Sequence, residues 1–100
     1  MKHKPGVSHD QEVVRELRDD PQLAAEYLNA AMEEADEPDV LLIALRHITE
    51  ARGGFAKTAK AAGISRESLY RALSARGNPR YSTLAAVTKA VGLKLTFEAA

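Results

Sequence analysis

Apolar residues recur at helical spacing along most of this chain, and proline, glycine and capping residues cut the pattern into segments. After an arm spanning Met1 to Val7, Ser8 is placed to cap a short helix running to about Arg18, with Asp10 and Glu12 in its first turn. Asp20-Pro21 restarts the chain: Asp20 is a good N-cap and Pro21 suits a first helical position. The helix from Pro21 to about Ala35 sets Ala24, Tyr27, Leu28, Ala31 and Ala35 on one stripe, with Leu23 at its edge. Asp36-Glu37-Pro38 breaks it. From about Asp39 to Arg52, Leu41, Ala44, Leu45, Ile48 and Ala51 repeat at helical spacing, and Val40, Leu42 and Ile43 widen the arc, which predicts the central helix. Gly53-Gly54 ends it. A short helix, Phe55 to Ala62, stops at Gly63. Ser65 caps the next, to about Arg76, and Gly77-Asn78-Pro79 terminates that one. Ser82 or Thr83 caps a sixth helix, in which Leu84, Val87 and Val91 share a face, and Gly92 ends it. Leu93 to Glu98 then alternates apolar and polar residues, a strand pattern without a second strand in the chain. Pairing with its twin across a two-fold axis would satisfy its backbone groups; an extended tail packed on the domain is the other reading.

The pattern therefore predicts an all-α fold of five or six helices with a short C-terminal β-strand. Residues 1–20 form an arm and short helix, and residues 21–100 the main domain. The length, 100 residues with 45% apolar and 28% charged, suits one such domain with a modest core. The absence of cysteine excludes disulfides and thiolate metal sites and fits a reducing cytoplasm. No apolar run is long enough to span a membrane, and the N-terminus lacks the apolar stretch of a signal peptide.

Charge changes the picture. The net charge is zero, but residues 1–52 hold six basic and twelve acidic side chains, a net of −6. Residues 53–94 hold eight basic side chains against Glu67 alone, a net of +7. Such asymmetry points to a polyanion on the basic half, or to two merely solvated faces.

The step coincides with a motif. In FAKTAKAAGISRESLYRAL, Phe55 to Leu73, a small residue (Ala59) precedes Gly63 by four positions and Leu69 follows Ile64 by five. Ala59 is small so that a second helix can cross above it. Gly63 leaves the first helix in a left-handed conformation, and Ile64 plugs the corner. Leu69, Ala72 and Leu73 face inward. This spacing reads as a helix-turn-helix, at about residues 55–76, whose second helix meets DNA bases in the major groove. Its outward residues are Arg66, Glu67, Ser68, Tyr70, Arg71 and Ser74. Arg66 is the first choice for a base contact, since a guanidinium grips guanine through two hydrogen bonds. Tyr70 and Arg71 reach a base or a phosphate; Ser68 lies on the same face. Ser65 is first an N-cap, at a helix N-terminus suited to a phosphate. Lys57, Thr58 and Lys60 before the turn, and Asn78, Arg80 and Tyr81 after the second helix, are candidates for backbone contacts. Glu67 either reads cytosine or pairs with Arg71 at i+4.

The chain resembles the addiction-module antidote proteins, HigA-like helix-turn-helix antitoxins of the XRE/Cro-like superfamily. The resemblance covers residues 12–98. Its marks are DPQLAAEYLNAAMEE (Asp20 to Glu34), LLIALRHITEARGG (Leu41 to Gly54), GISRESLYRALSARGNP (Gly63 to Pro79) and STLAAVTKAVGLKLTF (Ser82 to Phe97). Phe55 and Thr58 depart from the family's pattern, which often has a smaller polar residue and an apolar one there. The resemblance implies a lambda-repressor-like helix-turn-helix domain, homodimerisation on double-stranded operator DNA, and repression of the chain's own operon. It also implies a basic RelE- or HigB-like toxin as partner. An acidic N-terminal half suits that partner, and Glu33, Glu34, Asp36, Glu37 and Asp39 are the candidates to meet it.

An enzyme is not expected. His3, His9 and His47 have no metal-spaced partners, and the chain lacks a glycine-rich phosphate loop and any nucleophile signature. No cofactor or metal is expected either. Two alternatives remain open: a stand-alone helix-turn-helix regulator with no toxin, and an interaction protein whose helical hairpin never meets DNA.

Overall fold

The computed structural model describes residues 9–33, 38–74 and 76–99. The arm, Ser8 and the Asp36-Glu37 break lie outside these. The described residues form six helices: α1 (His9–Asp19), α2 (Pro21–Glu33), α3 (Pro38–Ala51), α4 (Gly54–Ala62), α5 (Arg66–Ala72) and α6 (Tyr81–Ala90). The all-α expectation holds. None of these helices is long and apolar enough to cross a membrane. Asp20 starts α2 as its sequence position predicts: its carboxylate accepts a hydrogen bond from the Leu23 amide at 3.0 Å.

Three boundaries differ from the sequence reading. Helix α5 ends at Ala72, not near Arg76. Ser74 turns back on it, its amide and hydroxyl both donating to the Arg71 carbonyl, at 3.3 and 2.9 Å. A serine that satisfies a helix-end carbonyl this way competes with further helix. Helix α6 starts at Tyr81, so Ser82 and Thr83 lie inside it. The Arg80 carbonyl already accepts the first helical bond, from Leu84 N at 3.0 Å, and Arg80, extended at φ −67°, is the N-cap without a side-chain bond. The third difference is the C-terminal strand. Residues 93–99 form no strand, because a strand needs a ladder partner and no described segment supplies one.

Helix α3 is central, packing against α1, α2 and α4, while α4 also packs on α5 and α6. One core cluster joins Leu42 and Leu45 of α3 to Phe55, Ala59, Leu69, Leu73 and Val87. A second joins Leu17 and Ala24 to Ile48, Ala51 and Val91. Helix α1 thus shares a core with α3 and with the residue that follows α6. Arg52 ties the same three elements from outside. Its Nε donates to the Val91 carbonyl at 2.8 Å, and its Nη1 to the Leu17 and Arg18 carbonyls, each at 3.4 Å. Carbonyls at helix ends lack intrahelical partners, and a cation there also suits the helix dipole.

Candidate nucleic-acid interface

The turn between α4 and α5 is built by backbone chemistry. Gly63 adopts the left-handed conformation, φ 75° and ψ 27°. The Gly63 amide donates to Lys60 O at 3.2 Å and the Ile64 amide to Ala59 O at 3.0 Å, the paired bonds of a Schellman ending. Ser65 then caps α5. Its Oγ accepts from the Ser68 amide at 3.0 Å and donates to Ser68 Oγ at 2.8 Å. Leu69 and Leu73 are fully buried and Ala59 is buried in the same cluster. Of the three α5-side residues expected to face inward, Leu69 and Leu73 are thus in the core and Ala72 is half-buried.

The outward residues divide. Arg66, Glu67 and Arg71 are exposed; Ser68 is half-buried with its hydroxyl bound to the cap. Among the described residues, ion pairs join Arg15 to Glu12, Arg18 to Asp19, and Arg46 to Glu50, and none engages Arg66 or Arg71. The Glu67–Arg71 pair is therefore absent, and both groups stand in solvent. Lys57, Lys60, Asn78 and Arg80 are also exposed. Tyr81, 63% exposed, borders a groove between α2, α3 and α6. Thr58 does not belong to the interface: it is 2% exposed in α4. It lies three residues after Phe55 and four before Ala62, on the stripe that packs inward.

Tyr70 is held in a way the sequence did not reveal. Its ring stacks on Phe55 of α4, with centroids 4.2 Å apart and planes 6° from parallel. The Arg46 guanidinium of α3 lies 5.9 Å from the Phe55 centroid and 6.0 Å from that of Tyr70. Cation–ring attraction at this range is worth about 0.5–1 kcal/mol at exposed sites. Tyr70 still keeps 45% of its surface exposed. Three helices therefore fix one side chain of the outward face, and Arg46 adds a cation beside it from the acidic half of the chain. The signal available in sequence was Phe55, an aromatic residue at the helix start fifteen positions before a tyrosine.

In the acidic half, Glu33 is exposed and Asp39 half-buried, while Glu34, Asp36 and Glu37 lie outside the described residues. A shallow cleft between α2 and α3 is lined by Tyr27, Ala30, Ala31, Val40, Ile43 and Ala44. Between the same helices, the Tyr27 hydroxyl and His47 Nδ1 share a half-buried 2.7 Å hydrogen bond that joins α2 to α3. No group of three His, Cys, Asp or Glu side chains that could hold a metal occurs among the described residues.

A family model described as probable addiction module antidote protein matches residues 9–99. An uncharacterized protein of Haemophilus influenzae is 46% identical over 68 residues, which is 68% of each chain. No solved structure matches the chain.

Proposed function

From the premise that this chain belongs to the family of probable addiction module antidote proteins, we propose that it is a DNA-binding antitoxin of the HigA-like, XRE/Cro-like kind. Family membership implies a toxin as partner. In the proposed reading that toxin is basic and RelE- or HigB-like, and the acidic surface of α2 and α3 receives it. The chain acts in the cytoplasm as a homodimer on double-stranded operator DNA and represses its own operon. Arg66 reads base edges; Arg71 and Tyr70 contact a base or phosphate; Lys57, Lys60, Asn78 and Arg80 hold the backbone.

One observation carries the DNA reading. Arg66 and Arg71 project from a helix fixed by the Gly63 turn and the Ser65 cap, and no described carboxylate neutralises either of them. A cationic ridge with rigid backing is what a major groove accommodates. The deciding experiment is a binding assay on the DNA immediately upstream of the chain's own gene, with and without the product of the neighbouring gene. Sequence-specific binding, together with a complex between the two gene products, is the expected result. Binding no tighter than to random DNA would remove the repressor role; failure to bind the neighbour's product would remove the toxin pairing.

A further inference from the structure

After Gly92 the chain runs Leu93-Lys94-Leu95-Thr96-Phe97-Glu98, apolar at odd positions and polar at even ones. The Leu93 amide donates to Thr88 O at 3.0 Å, and no hydrogen bond joins residues 94–99 to another described residue. Residues 93–97, Lys94 and Thr96 included, line a groove of about 420 Å³ together with Leu28, Met32 and Leu41. Phe97 nevertheless remains 86% exposed. The segment thus combines a free backbone edge, an open apolar groove and a solvated aromatic ring, each of which a partner strand would satisfy.

The charges in the segment identify the partner as a second copy. Residues facing each other in an antiparallel pair share a face of the sheet. With a two-fold axis at Thr96, Lys94 of each copy faces Glu98 of the other, Leu95 faces Phe97, and Thr96 faces Thr96. Moving the axis to Leu95 sets Lys94 against Thr96 and loses both ion pairs. Placing it between residues sets apolar positions against polar ones. The chain is therefore complementary to itself in one register.

We propose that residues 93–98 form the dimer contact, an antiparallel two-stranded ribbon centred on Thr96, with Phe97 of the second copy closing the groove beside Leu95. This rests on the homodimer reading given above and assigns its interface. The test is sedimentation of the full chain and of Lys94→Glu, Glu98→Lys and the double variant. Both positions are exposed, and circular dichroism checks that each variant folds. The wild type is expected to be a dimer. Each single reversal, which sets like charges opposite one another twice per dimer, weakens it by about tenfold or more, and the double variant recovers it. In a chain without cysteine, Thr96→Cys should oxidise to a covalent dimer, and Leu95→Cys and Phe97→Cys should not. A monomeric wild type, a dimer indifferent to the single reversals, or a double variant as weak as the singles would overturn the proposal. The DNA assay is independent: a charge-sensitive dimer that ignores the upstream DNA would leave this interface standing and remove the operator role.

Discussion

Gly63 and Gly77 flank α5 and resist substitution for different reasons. At Gly63, φ is +75° and an added Cβ would meet nothing within 4 Å, so the cost of a side chain is backbone strain. Gly63→Ala should destabilise by about 1–2 kcal/mol and Gly63→Val by more, while Gly63→Asn should be milder because asparagine tolerates the left-handed region. At Gly77 an added Cβ would lie 2.3 Å from the Ala72 carbonyl oxygen, a clash with backbone. Gly77→Ala and Gly77→Asn should both destabilise, by about 1–3 kcal/mol, with no relief from asparagine. Thermal unfolding of the five variants checks this: if asparagine is no better than alanine at Gly63, strain is not the cause. Arg66→Ala belongs to the same scale. It should cost about 1–3 kcal/mol on the operator and little on random DNA in fluorescence anisotropy titrations; equal losses would mean that Arg66 only holds backbone. Gly63 and Ser65 were legible because their chemistry is local. Thr58, grouped with Lys57 and Lys60 as a backbone-contact candidate, is instead buried, because its spacing from Phe55 and Ala62 sets it on the inward stripe. The Glu67–Arg71 pair failed because i+4 spacing permits an ion pair between exposed side chains without compelling one.

Helix order was legible from periodicity, and helix ends less so. The end of α5 is decided by Ser74 folding onto Arg71 O, and the start of α6 by Arg80 O, both backbone bonds that a hydropathy pattern does not register. Arg52 is the clearest case of an element-level role hidden in sequence. It reads as one more basic residue at a helix end, yet it bridges the ends of α1 and α6. Arg52→Ala should destabilise the fold by about 2–3 kcal/mol, since hydrogen bonds to charged groups contribute about 1.5–3 kcal/mol and this group is only partly buried. The melting temperature should fall by about 4–8 °C per kcal/mol for a domain of this size. Arg52→Lys should recover only part, because an ammonium cannot fork between separated carbonyls. A melting curve unchanged in Arg52→Ala would show that core packing alone joins α1 to the rest.

For the whole molecule, the division into an acidic first half and a basic second half was plain in the sequence and survives folding around α5, where no described acid turns back to neutralise Arg66 or Arg71. DNA affinity should therefore fall steeply with salt, with a log–log slope of about −0.9 for each phosphate neutralised. A flat response would mean that the cations are only solvated. What the sequence did not place was the C-terminal run: alternation marks which side is apolar but not where that side lies, and the groove that receives it is assembled from α2, α3 and α6. The stacking of Tyr70 on Phe55 has a practical consequence. The chain contains three tyrosines and no tryptophan, so its ultraviolet emission comes from Tyr27, Tyr70 and Tyr81 alone. These stand at three separate places: beside His47, on α5, and at the groove. Replacing two of them with phenylalanine leaves a single built-in optical probe, and the version retaining Tyr70 would report, without any attached dye, whether its ring stays on Phe55 when a duplex arrives.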